Sequence, residues 1–156
     1  MERPMAIITS GRKKRGNPLK IMVSACLLGE NCKYNGGNNR NEKVLKLIEV
    51  HQMIPVCPEV WGGLPTPRVP SEIVDGIVTA KDGRVVDQEF REGAMKGLKK
   101  AKEEAIDFAI LQSRSPSCGV KQIYDGTFSG QKIEGQGVFA KLLLENGFRV
   151  VDLEDL

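Results

Sequence analysis

The chain has 156 residues, 28% charged and 40% hydrophobic, the balance of one domain large enough to bury a core. No apolar run approaches the roughly 18 residues of a membrane span. The formal net charge of +3 is confined to the start: residues 1–20 hold six basic residues and one acid, leaving 17 basic and 19 acidic residues for the rest.

The basic character therefore belongs to a leader, Gly11-Arg12-Lys13-Lys14-Arg15-Gly16 at its centre, which reads as a disordered extension ahead of a single α/β domain over residues 21–156. No apolar segment follows its charges, so it is not a secretory signal. The four cysteines are accordingly expected to be thiols or metal ligands in a cytoplasmic protein and not disulfides.

The first strand is predicted over Lys20–Ser24, with Cys26 just past its end. Gly36, Gly37, Asn38 and Asn39 make a loop, and Asn41 is the expected N-cap of a helix carrying Val44, Leu45, Leu47 and Ile48 on one side. His51 follows that helix, where a positive charge favours the C-terminal dipole. Met53–Val56 is the second strand; Cys57 ends it and Pro58 terminates it.

A Pro-rich loop precedes a hairpin over Ile73–Val86, turning at Asp82-Gly83. A long amphipathic helix, Gln88 to Glu104, is expected to bury Ala94, Met95, Leu98, Ala101 and Ala105. The third strand is predicted over Ile106–Leu111. Tyr124 to Gly130 is a turn-rich excursion, Val138–Asn146 a last helix stopped by Gly147, and Phe148–Val151 a closing strand. The order βαβαβαβ, hairpins aside, predicts an α/β fold of three layers with a mostly parallel sheet.

The stretch Leu111-Gln-Ser-Arg-Ser-Pro-Ser-Cys-Gly119 stands out for its chemistry. Pro116 fixes φ, Gly119 is free to take a positive φ, and the hydroxyls can bond their own backbone, so Cys118 should be held in a tight loop. Cys26, Cys57 and Cys118 each lie near the end of a predicted strand. In a parallel sheet those ends share the carboxyl edge, where ligands bind at a topological switch point. Three thiols 31 and 61 positions apart can thus converge, although none has a CxxC spacing.

Three thiolates without a local histidine suit a soft metal centre better than a catalytic zinc. Cys32 has no strand behind it and reads as a neighbour of the ligands or a spare thiol. Glu59, two residues after Cys57, is the nearest carboxylate to a proposed ligand.

At these residues the sequence resembles the iron-sulfur-dependent thiouracil desulfidase family. The matching motifs are Ser24-Ala-Cys-Leu-Leu-Gly29, Cys57-Pro-Glu-Val60 with Gly62-Gly-Leu-Pro-Thr-Pro-Arg68, Arg114-Ser-Pro-Ser-Cys-Gly119 and Ile123-Tyr-Asp-Gly-Thr-Phe-Ser-Gly130. Tyr34-Asn35-Gly36 departs from an expected Tyr-Asp-Gly, and Lys33 stands in place of the usual Arg.

The resemblance implies a [4Fe-4S] cluster on Cys26, Cys57 and Cys118 with one open iron, and non-redox desulfuration of a thiolated uracil to uracil. By the same resemblance Glu59 activates water or shuttles a proton and Ser115 relays a proton to the substrate. The partners it implies are a small thiolated uracil or a thiolated tRNA, and the iron-sulfur assembly machinery. Arg68, Arg114 and Lys121 are candidates to neutralise a substrate phosphate.

Two other classes fit the residues. One is a zinc-stabilised RNA-binding module using all four cysteines with the basic leader as its electrostatic arm, though aromatics at 5% disfavour base stacking. The other is a metal-free thiol enzyme with Cys118 as nucleophile.

Overall fold

The computed structural model describes residues 18–156, so the leader through residue 17 lies outside the described residues. The elements run β1 (Lys20–Ser24), a 3-10 turn (Ala25–Leu28), α1 (Glu42–Leu47), β2 (Gln52–Val56), α2 (Pro58–Trp61), β3 (Ser71–Val74), β4 (Ile77–Ala80), α3 (Asp87–Glu104), β5 (Phe108–Leu111), β6 (Gln122–Tyr124), β7 (Lys132–Glu134), α4 (Val138–Glu145), β8 (Val150–Asp152) and a last 3-10 turn (Leu153–Asp155).

Four strands form one parallel sheet in the order β2-β1-β5-β8, as the alternating pattern predicts. The chain steps from β1 to one side for β2, then returns to the other side for β5. The strand order therefore reverses at β1, and the crevice of a switch point opens at the carboxyl ends of β1 and β5. Ile21, Met22 and Val23 are fully buried, because both faces of the sheet are covered and a central parallel strand has no solvent side.

Alternate residues of β1 serve different layers. Met22 joins Ala94, Leu98 and Ala101 of α3 and Phe139, Ala140 and Leu143 of α4 on one face. Ile21 and Val23 meet Leu27, Val44 and Leu47 on the other. A third apolar cluster, Val78, Ala80, Val86 and Phe90, lies under the β3–β4 hairpin. β2 is an edge strand, and its exposed Pro55 sits where no outer neighbour needs an N–H. No helix of the described residues is long and apolar enough to cross a membrane.

Several details differ from the sequence expectation. Pro58 does not merely end β2; it opens the short helix α2 at N1, where its missing N–H costs nothing. The hairpin turns at Asp75-Gly76, both at positive φ, while Asp82-Gly83 makes a second turn that leads only to the bridge between Thr79 and Val85. The buried face of α3 is rotated: Met95 is 56% exposed, and Ala105 is the exposed left-handed C-cap. The closing strand runs two residues later than predicted at its start and one later at its end.

The rotation of α3 has a steric cause. A Cβ at Gly93 would lie 1.7 Å from the Pro58 carbonyl oxygen, one at Gly62 would lie 1.9 Å from that of Glu89, and one at Gly97 would lie 2.5 Å from the Phe139 ring. Glycines, not large apolar residues, therefore mark the face on which α3 meets α2 and α4. His51 also departs from expectation. At the amino edge of the sheet its Nδ1 accepts the Leu19 N–H at 3.0 Å, and burial lowers its pKa despite Asp107. It acts as a neutral acceptor, not as a helix-end cation.

Two opposing effects decide Gly93→Ala: alanine favours the helix by about 1 kcal/mol, but its methyl group overlaps the Pro58 carbonyl. Overlap wins, and urea denaturation is expected to show a net loss of at least the ~1–3 kcal/mol typical of an overpacked core. His51 generates a pH dependence of known sign. Its folded pKa lies below the unfolded value of 6.5, so its contribution is complete above pH 6.5 and is lost as pH falls through and below that value. Denaturation midpoints of His51→Gln between pH 7.5 and 5 should fall less steeply than those of the wild type.

Candidate functional site

Cys26 lies in the 3-10 turn that follows β1, closed by Gly29 at φ 96. Asn39 holds it twice: its backbone N–H donates to the Cys26 carbonyl at 2.9 Å, and its Nδ2 donates to Sγ at 3.5 Å. Cys57, the residue after β2, is the N-cap of α2, where the Val60 N–H contributes to lowering its pKa.

Cys118 is seven residues beyond β5, and its loop brings it back over the sheet edge. Arg114 takes the positive φ of 62 that was expected of Gly119. Gly119 is required for a different reason: a Cβ there would lie 2.7 Å from the Gln122 carbonyl oxygen and 2.9 Å from that of Ser115. Ser24 at the end of β1 accepts the Gln112 N–H at 2.9 Å, and the Ser117 hydroxyl lies 3.6 Å from Cys118 Sγ.

The loop is joined to the start of α4. That helix has no side-chain N-cap; instead its Val138 N–H donates to the Pro116 carbonyl at 2.8 Å, and the Phe139 and Ala140 N–H groups donate to that of Ser117 at 2.8 and 3.1 Å. Orphan helix donors are thus satisfied by the cysteine loop itself. Gly137 permits the approach, since a Cβ there would lie 2.5 Å from the Ser117 carbonyl carbon.

The thiols differ in acidity. Burial pushes Cys118, 4% exposed, up to about 12, and burial also raises Cys26. A metal-free nucleophile needs the opposite shift, so Cys118 is unsuited to that role, whereas a bound cation deprotonates such a thiol outright. The neighbouring Cys32 thiol lowers the Cys57 pKa while its own is raised, and the Cys57 thiol donates to the Cys32 carbonyl at 4.0 Å. Cys32 is therefore a direct neighbour of Cys57.

Glu59 and Ser115 come together through residues that the sequence reading did not single out. Ser117 donates to Glu59 Oε2 at 2.9 Å and lies 2.9 Å from the Ser115 hydroxyl. Ser115 Oγ in turn accepts the Ser117 and Cys118 backbone N–H groups, each at 3.1 Å. On the far side Arg68 Nε donates to Glu59 Oε1 at 2.9 Å.

Arg68 is not free for a phosphate. Its side chain is 7% exposed, against 15% for Glu59, and three more of its five donors go to the Pro65 and Cys32 carbonyls and the Thr66 hydroxyl. Arg114 pairs with Glu154 and Lys121 with Asp155. The lysines that line the cavity are Lys33 and Lys81. At the departure from the family motif, Asn35 Oδ1 accepts the Gly37 N–H at 2.9 Å, a bond that a carboxamide oxygen makes as well as a carboxylate.

Cys26, Cys32, Cys57 and Cys118 border one cavity of about 570 Å³ together with Glu59, Arg68, Ser115 and Ser117, a size suited to a small ligand. The cavity wall carries four cysteines and no histidine, an all-sulfur donor set. Thiolates are the usual ligands of iron-sulfur clusters, so Cys26, Cys57 and Cys118 around one cavity fit the donor set of such a cluster.

The chain matches the family described as 2-thiouracil desulfurase over residues 21–155. It is 45% identical over 147 residues to the uncharacterized protein YbbK of Bacillus subtilis (strain 168), covering 87% of this chain and 97% of that protein. Among solved structures it is similar to TudS, a [4Fe-4S]-dependent thiouracil desulfidase, with a TM-score of 0.82 and 38% identity over 88% of this chain and 93% of that one. With a family match spanning nearly every described residue, this chain belongs to the 2-thiouracil desulfurase family.

Proposed function

We propose that this chain hydrolyses the C–S bond of a thiolated uracil, with water in and uracil and sulfide out, and that Cys26, Cys57 and Cys118 hold a [4Fe-4S] cluster with one iron free of protein. The observation that carries the reading is that these three strand-end thiols border the same cavity as a hydrogen-bonded chain of Ser115, Ser117 and Glu59. When bound, the cluster supplies an open iron, a Lewis acid with affinity for sulfur.

Glu59 is the base for water. Arg68 fixes one of its oxygens and leaves the other to the serines. A hydroxyl has one proton to give; with that of Ser117 committed to Glu59, Ser117 accepts from Ser115. This orientation belongs to the ionised Glu59; once Glu59 has taken the proton of water it becomes the donor, both hydroxyls turn over, and the reversed row carries a proton from Glu59 through Ser117 and Ser115 to the substrate. Two backbone N–H groups on Ser115 Oγ support the negative charge that develops as its proton leaves. The cavity volume supports a free base or nucleoside; a thiolated tRNA, loading by the iron-sulfur assembly machinery and a cytoplasmic setting belong to the same proposal.

Anaerobic reconstitution should give a brown protein with about four irons per chain that releases sulfide from 2-thiouracil or 4-thiouracil. Alanine at Cys26, Cys57 or Cys118 should remove both the colour and the activity. A wild type that stays colourless, or a Cys118→Ala protein as active as the wild type, would sink the reading. Glu59→Gln and Ser115→Ala should keep the cluster spectrum while turnover falls about 10²- to 10⁴-fold, the usual contribution of a positioned proton carrier.

A further inference from the structure

The β6–β7 hairpin closes one side of the cavity, and its tip is built around a residue that the proposed chemistry leaves unused. Phe128 lines the cavity, yet its backbone has a φ of 57, a conformation costly for a bulky side chain. Gly126 and Gly130 flank it at positive φ, and glycine at 128 would relieve the same strain. Nor does the ring serve the core: among the described residues Phe128 joins none of the three apolar clusters. The side chain is thus kept, in a strained position, on the wall of a ligand cavity.

The tip is also held from outside the hairpin. One carboxylate oxygen of Glu72 on β3 accepts the Gly126 N–H at 2.9 Å and the Phe128 N–H at 3.1 Å. Gly126 lets the two backbones touch, since a Cβ there would lie 2.7 Å from the Ile73 carbonyl oxygen. Glu72 borders the same cavity, so the residue that fixes the Phe128 backbone belongs to the same wall.

We infer that Phe128 is a specificity-determining wall of this cavity, stacking its ring on the flat, unsaturated pyrimidine of the substrate, and that Glu72 is the positioning residue that holds it there. The inference rests on the uracil-class substrate proposed above. Stacking explains why a ring is retained at a strained position: an aromatic face selects for a planar heteroaromatic ring and rejects a puckered one.

The test is binding of uracil and of dihydrouracil, whose saturated ring is not planar, to cluster-loaded protein by equilibrium dialysis, beside sulfide release from thiouracil. Phe128→Leu keeps the bulk but not the aromatic face and should weaken uracil binding about tenfold, while dihydrouracil binding changes little. Phe128→Tyr should retain uracil binding, and Glu72→Ala, with the ring present but unheld, should behave like Phe128→Leu. In turnover, the loss should fall mainly on KM. Uracil bound as tightly by Phe128→Leu as by the wild type, or equal losses for both rings, overturns the inference and leaves the reaction standing. A wild type that binds uracil with the predicted Phe128 dependence but releases no sulfide overturns the reaction and leaves the stacking wall standing. A wild type that binds no uracil overturns the wall.

Discussion

The arrangement of the cavity depends on one exchange of backbone hydrogen bonds. The first amides of α4 have no side-chain cap and are satisfied by the carbonyls of Pro116 and Ser117. Neither partner is complete without the other: the helix would begin with unpaired donors, and the Pro116 and Ser117 carbonyls of the loop would lose their partners. Phe139, in the same turn of helix, packs against Gly97 of α3, and Gly93 of α3 carries the backbone of Pro58 beside Cys57. Two of the three cysteine loops are thus referenced to the α3–α4 pair, and the third to the end of β1. Their mutual placement is set by core packing and not by the thiols themselves.

Charge in the site is organised around one buried pair. Arg68 and Glu59 are both largely removed from solvent, and such a pair contributes little net stability once desolvation is counted. What it contributes here is orientation. The guanidinium uses its fork on Glu59, Cys32, Pro65 and Thr66 at once, so the carboxylate cannot rotate without losing several bonds, and its free oxygen stays with Ser117. The same arginine reaches the Cys32 backbone, which ties the thiol beside Cys57 into the same frame.

Much of this was legible in the sequence where short-range physics decides. The apolar runs of β1 and β5, the Asn41 cap and the Gly147 stop are local signals, and strand-end cysteines in a parallel sheet have one edge on which to meet. The hairpin was misplaced because the chain holds two Asp-Gly dipeptides, Asp75-Gly76 and Asp82-Gly83, both lying between the apolar pairs Ile73-Val74, Ile77-Val78 and Val85-Val86, which alternation cannot rank. The α3 face was misjudged because its contact surface is made by glycines, which a search for large apolar residues passes over. Ser117 and the true role of Arg68 depend on partners 58 and 9 positions away, contacts that only the folded chain reveals. Arg68 read as a free cation because sequence shows charge but not what neutralises it.

Pro55 lies on the outer strand of the sheet, and β8 at the opposite edge is three residues long. One rim lacks a donor and the other is too short to template a new strand. Both features disfavour lengthening the four-stranded sheet by strand addition at either rim, away from the carboxyl-edge cavity that holds the thiols.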